Sequence, residues 1–157
     1  MQIVLFEPEI PPNTGNIARL CAATNTPLHL IEPLGFSLEN RYLKRAGLDY
    51  WPNVAMRVWP NWEQLKNTLT STSRLIMLSA KQRTTTVDAT QFSYCPNDLL
   101  IFGPETRGLP DTLLAQSPYH LRIPMCPGKV RSLNLSTCAG IVLYLALQST
   151  GIPQGWS

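Results

Sequence analysis

Several short runs of the chain have no polar face. Gln2 to Phe6 (QIVLF), Leu28 to Ile31 (LHLI), Leu75 to Leu78 (LIML), Leu99 to Gly103 (LLIFG) and a stretch around Leu121 to Pro124 are almost continuously apolar. That is the pattern of strands covered on both sides. Val54 to Trp59 can form a further extended segment. Helical spacing appears between these runs. Ile17, Ala18, Leu20, Cys21, Ala22 and Ala23 recur with helical period after a stiff turn, Glu7 to Pro12, which Pro8, Pro11 and Pro12 keep out of a helix. Asn13 or Thr14 is the expected N-cap. Leu38 to Ala46 reads as an amphipathic helix closed by Gly47, Trp62 to Leu69 as a short helix, and Pro110-Asp111 opens another through Leu114. The last helix runs from Leu133 to about Ser149. Gln82 to Thr90 is polar without period and reads as loop. Strands alternating with helices predict an α/β fold, a mostly parallel sheet with helices on both faces. At 157 residues the chain suits one domain over residues 1–157.

The last helix changes the picture in one respect. Leu135, Cys138, Ala139, Ile141, Val142, Leu143, Tyr144, Leu145, Ala146 and Leu147 go almost all the way round it, so it needs cover on more than one side. A second copy of the chain supplies that most simply. We therefore expect a homodimer with Tyr144 near the contact. The apolar run from Cys138 to Leu147 is about half a membrane span, and Glu7 and Glu9 interrupt the first apolar stretch, which has no basic segment before it. No membrane association and a cytoplasmic location are expected. Cys21, Cys95, Cys126 and Cys138 show no metal-ligand spacing, so no metal is expected and reduced thiols are the default. A net charge of +3 is small for a protein that grips nucleic acid by charge alone.

Two loops carry the candidate chemistry. After Gly103 come Pro104, Glu105, Thr106, Arg107 and Gly108. After Pro124 come Met125, Cys126, Pro127, Gly128, Lys129, Val130, Arg131 and Ser132, followed by Asn134 and Ser136 in the first turn of the last helix. Both leave the carboxyl end of an apolar strand, where open α/β sheets bind ligands. Each holds an arginine, a glycine and small hydroxyl or amide groups, which suggests one shared site; taken singly, either loop could simply turn the chain. Arg19 is the only charge between Asn13 and Pro27, and on its own residues it is either a solvent-facing charge or a site residue. Arg41, Lys44 and Arg45 form the densest basic cluster, a solvated helix face or a contact for a phosphate-rich partner. His29 receives no role.

Asn13 to Arg19 (NTGNIAR), Phe102 to Pro110 (FGPETRGLP), and Ile123-Pro124 with Arg131 to Ser136 (RSLNLS) resemble, in order and spacing, the three motifs of the SPOUT RNA methyltransferases. Within that family the likeness is greatest to the small tRNA 2'-O-methyltransferases of the wobble cytidine or uridine, and it extends to the opening IVLFEPEIPPNTGNIARL and to RAGLDYW. The resemblance implies a trefoil knot over about residues 99–150, a sheet that threads through itself against the general rule. It implies S-adenosyl-L-methionine as cofactor, held near Leu78, Gly103, Ile123, Ser132 and Leu133. It also implies tRNA, through its anticodon stem-loop, as the partner. Arg19 would be catalytic, with Asn13, Glu105 and Asn134 orienting it and the nucleotide. Arg107, Arg131, Tyr144, Arg41, Lys44 and Arg45 would meet the RNA. Two other readings are a SPOUT 2'-O-methyltransferase for another RNA site and a non-catalytic RNA- or nucleotide-binding domain. The chain departs from the family pattern in a longer Pro127 to Arg131 loop, with Val130 before the arginine. It departs again where Thr24-Asn25-Thr26 replaces a glycine-containing turn; asparagine tolerates the positive φ such a turn needs.

Overall fold

A computed structural model of the chain describes residues 1–38, 53–80, 83–152 and 156. Among them the strands are β1 (Gln2–Phe6), β2 (Leu28–Ile31), β3 (Met56–Trp59), β4 (Arg74–Leu78), β5 (Thr86–Asp88), β6 (Asp98–Phe102) and β7 (Tyr119–Arg122). The helices are α1 (Pro11–Ala23), α2 (Trp62–Lys66), α3 (Asp111–Leu114) and α4 (Leu135–Thr150). The sheet order is β3-β2-β1-β6-β4-β7-β5, and every neighbouring pair is parallel. The expected α/β class, parallel sheet and two covered faces are all present.

The apolar runs sort themselves by alternation. Ile3, Leu5, Ile76, Leu100 and Phe102 face one core with Ile17, Ala18 and Cys21 of α1 and Ala139, Val142, Leu143, Ala146 and Leu147 of α4. Val4, Met77, Leu99 and Ile101 face the other, with Trp62 and Leu65 of α2 and Leu113 and Leu114 of α3. Every residue of β6 is buried, which is why Leu99 to Phe102 has no polar face. Each fully buried Leu or Ile contributes about 1.5–3 kcal/mol, so the two sheet faces hold the fold and leave the loops at the strand ends free to carry chemistry.

Four local expectations need correction. First, α1 begins at Pro11, with Ile10 as an N-cap that lends no side-chain hydrogen bond. Proline lacks only an N–H that the first turn leaves unpaired anyway, so Pro11 and Pro12 start the helix instead of delaying it, and Asn13 stands inside its first turn. Second, the described part of the stretch expected as loop, 83–90, contains β5 and the start of a 3-10 turn at Ala89–Gln91. This edge strand buries no apolar face; Val87 is 40% exposed. Backbone pairing to β7 and the 2.6 Å Arg122–Asp88 ion pair define it. Third, β7 lies at Tyr119–Arg122, two residues before the expected stretch. His120 is buried there because Thr85 Oγ1 and the Leu114 carbonyl satisfy its ring nitrogens at 2.8 and 2.9 Å. Fourth, β6 starts at Asp98, whose fully buried carboxylate receives Arg74 Nε at 2.7 Å, Arg74 Nη2 at 2.8 Å and Cys95 N–H at 2.8 Å. A paired carboxylate can be buried; an unpaired one could not.

Smaller expectations are met. Asn61 caps α2 through Gln64 N–H at 3.0 Å, and Asn25 takes the positive φ of 48° after α1. His29 is a satisfied packing residue: Trp59 Nε1–H donates to its Nδ1 at 2.9 Å, so the ring carries its proton on Nε2 and donates to Gln2 Oε1 at 2.7 Å. The helix expected at Leu38 to Ala46, with Arg41, Lys44 and Arg45, lies outside the described residues apart from Leu38.

Candidate functional site

Because the sheet is parallel, all its carboxyl ends share one edge. Leu5, Phe102, Leu78 and Leu121 are successive register partners across it. The chain leaves β1 toward β2 on one side and leaves β6 toward β7 on the other, a topological switch point, where open α/β sheets form a crevice. Three segments emerge beside it: 7–10 into α1, 103–110 after β6, and 123–134 before α4.

Polar side chains join these segments. Asn13 is 5% exposed on the first turn of α1. Its Nδ2 donates to Glu105 Oε1 at 3.0 Å, and its Oδ1 accepts from Asn134 Nδ2 at 2.8 Å. The carboxylate of Glu105 also accepts from the N–H groups of Glu9, at 2.9 Å, and Ile10, at 3.3 Å. It thereby places a negative charge from a distant part of the chain at the N-terminus of α1, where the helix dipole favours it. Asn134 is the N-cap of α4, accepting from Ser136 N–H at 2.8 Å and Thr137 N–H at 3.4 Å. One asparagine therefore bridges a carboxylate at the mouth of α1 to the cap of a helix 121 residues further along. Beside it Thr14 is fully buried, and its hydroxyl has no partner among the described residues.

A second set of contacts closes over the first. Glu9 accepts from Thr106 N–H at 3.0 Å and from the Thr106 hydroxyl at 2.7 Å. That hydroxyl and then the amide hold the Glu9 carboxyl below its ordinary pKa. Arg107 is paired with Glu7, and its Nε lies 3.9 Å from Glu9 Oε1. Glu9 and Thr106 were not among the expected site residues. Their signal was two acids in a proline-rich turn with no basic residue nearby in sequence, facing a loop that carries one.

The other expected residues fall as follows. Leu78 ends β4, Gly103 follows β6, Ile123 follows β7 and Leu133 precedes the cap of α4; all four are partly buried. A side chain at Gly103 would stand 2.4 Å from Leu109 N and 2.6 Å from Gly108 C, so the 103–109 loop folds back onto the strand end as only glycine permits. Arg131 and Ser132 are exposed. Tyr144 is 50% exposed on α4. Arg19 is exposed on α1, about 9 Å along the axis and about 120° round from Asn13.

A parallel α/β sheet whose strand-end loops meet at a switch point, tied together by the Glu105–Asn13–Asn134 chain, is the frame of the site; residues 1–144 match the family described as the SpoU rRNA Methylase family. The chain belongs to that family, as the resemblance of its three motifs implied. It is 51% identical over 148 residues to a tRNA (cytidine(34)-2'-O)-methyltransferase of Methylovorus glucosotrophus, covering 92% of each chain. It is 44% identical over 155 residues to the Escherichia coli (strain K12) protein of the same name, covering 98% of this chain and 96% of that one. A solved structure reported as "Structural insights into the 2-OH methylation of C/U34 on tRNA" superposes with a TM-score of 0.87 at 44% identity, covering 94% of both chains.

Proposed function

We propose that this protein transfers a methyl group from S-adenosyl-L-methionine to the ribose 2'-oxygen of the cytidine or uridine at position 34, the wobble nucleotide of the tRNA anticodon stem-loop. The observation that carries the reading is the Glu105–Asn13–Asn134 chain, which joins residues of all three motifs at one edge of the sheet. The names borne by relatives 44 to 51% identical over nearly the whole chain support the same reaction and the same nucleotide.

The strand ends suit the cofactor. Adenine needs apolar walls and main-chain donors and acceptors. The half-buried Leu78 and Ile123 stand at the ends of the adjacent strands β4 and β7, the half-buried Leu133 precedes the cap of α4, and the glycine-only turn at Gly103 leaves backbone there without a side chain to obstruct it. Leu78, Gly103, Ile123, Ser132 and Leu133 would hold the cofactor. Bound there, S-adenosyl-L-methionine supplies an electrophilic methyl on a positively charged sulfur.

The protein's part is alignment and charge stabilisation. As the 2'-oxygen forms its bond to the methyl, the methyl–sulfur bond breaks, the 2'-hydroxyl proton passes to solvent water, and negative charge develops on the oxygen. Arg19 is assigned to that oxygen and the adjoining phosphate as a fixed cation, since a guanidinium is a permanent positive charge in proteins. Asn13, Glu105 and Asn134 orient the nucleotide. Arg107 exchanges its carboxylate partners for RNA phosphate when substrate binds, and Arg131 and Arg41, Lys44 and Arg45 add further phosphate contacts. A homodimer completes the site, with Tyr144 at the contact: Ile141, 36% exposed, and Tyr144 lie on the face of α4 opposite its buried stripe. The family's trefoil knot over about residues 99–150 and a cytoplasmic location, where tRNA is found, belong to the same reading.

Purified protein given methyl-labelled cofactor and bulk tRNA is expected to label a 2'-O-methyl nucleotide, and Arg19→Ala to lose at least about a hundredfold in kcat. Full activity without Arg19 would remove the assigned mechanism.

A further inference from the structure

We propose that Glu9 and Thr106 form a positioning clasp that holds Glu105, and through it Asn13 and Asn134, in register for methyl transfer; the inference rests on the function proposed above. The contacts are reciprocal. The side chain of Glu105 takes the backbone N–H of Glu9 at 2.9 Å, and the side chain of Glu9 takes the backbone N–H of Thr106 at 3.0 Å. Each turn thus grips the main chain of the other, and the Thr106 hydroxyl adds a third bond to Glu9 at 2.7 Å. With both in place, neither the 7–10 turn nor the 104–107 turn can slide without breaking bonds at both ends. Arg107 neutralises part of the charge by pairing with Glu7 and lying 3.9 Å from Glu9.

Folding alone does not call for this arrangement. Thr106 is exposed and Glu9 only partly buried, so the clasp covers no apolar surface, and hydrogen-bonded charges at such exposure contribute little to stability. It also gathers the carboxylates of Glu7 and Glu9 around one arginine, where a neutral turn would suffice. What it does supply is placement. A misplacement of about 1 Å near reacting groups lowers rates by about a hundredfold, whereas the same shift in an exposed turn hardly changes stability. Loss of the clasp should therefore be read in kcat and leave melting and ground-state binding almost untouched.

The test compares Thr106→Val, Thr106→Ser, Glu9→Gln and the double variant Glu9→Gln/Thr106→Val in the full chain. Steady-state kinetics with tRNA, calorimetric titration with S-adenosyl-L-methionine and thermal melting supply the readouts. Thr106→Val is expected to lose about tenfold in kcat, with KM for tRNA and Kd for the cofactor within about twofold of wild type and the melting midpoint within about 2 °C. Thr106→Ser, which keeps the hydroxyl, is expected to stay within about twofold of wild type throughout. The double variant is expected to be no slower than the slower single one, because the two residues act as one unit. Wild-type kcat in both Thr106→Val and Glu9→Gln overturns the clasp, as does a Thr106→Ser protein as slow as Thr106→Val, or a rate loss that simply follows a lowered melting midpoint. If wild type methylates RNA at another nucleotide, the functional reading fails and the same kcat ratios at that nucleotide judge the clasp. A wild type that transfers no methyl to any RNA overturns both.

Discussion

Asn13 is the residue on which the three loops depend, and replacing it in two ways separates its packing from its electrostatics. In Asn13→Ala, Glu105 loses a charge-assisted hydrogen bond of 3.0 Å and Asn134 loses a neutral one of 2.8 Å. At about 1.5–3 and 0.5–1.5 kcal/mol respectively, the loss comes to about 2–4.5 kcal/mol, reduced where water reaches the exposed side of Asn134. Asn13→Asp keeps the volume and the acceptor for Asn134 but turns an oxygen toward Glu105. Two full charges about 3 Å apart repel by about 5 kcal/mol at an effective dielectric constant of about 20. The pair relieves this by retaining one proton, so the dyad titrates above the ordinary carboxylate range. The folded state then binds more protons than the unfolded one from the ordinary carboxyl pKa up to the raised one, and stability falls as pH rises through that window. Urea unfolding at pH 5 and pH 8 is the assay. Asn13→Asp should lose at least about 1 kcal/mol more at pH 8 than at pH 5, while Asn13→Ala loses a similar amount at both. An Asn13→Asp protein with the wild-type midpoint at both pH values would refute the contact between Asn13 and Glu105.

Three further outcomes follow from other parts of the molecule. Burial first, and the nearby Arg57 second, hold His29 at a pKa of about 4 against an ordinary 6.5; with the folded value depressed, stability contributed by the neutral ring is intact above about pH 6.5 and falls, by about 2 kcal/mol after allowance for partial exposure, as pH drops toward 4, which histidine NMR titration with parallel unfolding curves will follow. Thr14→Val removes a buried hydroxyl with no partner among the described residues and keeps β-branching and volume, so the melting midpoint should rise by about 2–4 °C per kcal/mol gained, about 1 kcal/mol being expected; a fall would show that the hydroxyl is satisfied. Ile141→Glu/Tyr144→Glu places charge on the exposed face of α4 and should convert a sedimenting dimer to a 17.5 kDa monomer, whereas a monomeric wild type at micromolar concentration would reject the dimer.

Strands buried on both faces were legible because the sequence has to repeat apolar residues without interruption there, as at Leu99 to Phe102. What escaped was structure defined by pairing rather than burial. Thr86–Asp88 has one apolar residue and owes its strand to β7. Asp98 and His120 look like breaks in apolar runs until their hydrogen-bond partners are known. Pro11 and Pro12 misled because the same ring that stops a helix is harmless in its first turn. In the site, Asn13, Glu105 and Asn134 were readable as motif members, but their mutual contact spans up to 121 residues and no local pattern encodes it. Arg107 was expected to face RNA, and the structure adds what periodicity could not, that Glu7 and Glu9 hold it.

The most direct test of the proposed reaction is mass spectrometry of nuclease-digested tRNA, incubated with and without the purified protein and S-adenosyl-L-methionine, read at the wobble nucleotide. A gain of 14 Da on the ribose of cytidine or uridine 34, present only with protein and cofactor together, is the predicted result, the mass being that of one added CH₂ on general chemical grounds (about 14 Da). An unmodified nucleotide 34 alongside a methyl on a base, or on another position, would contradict it.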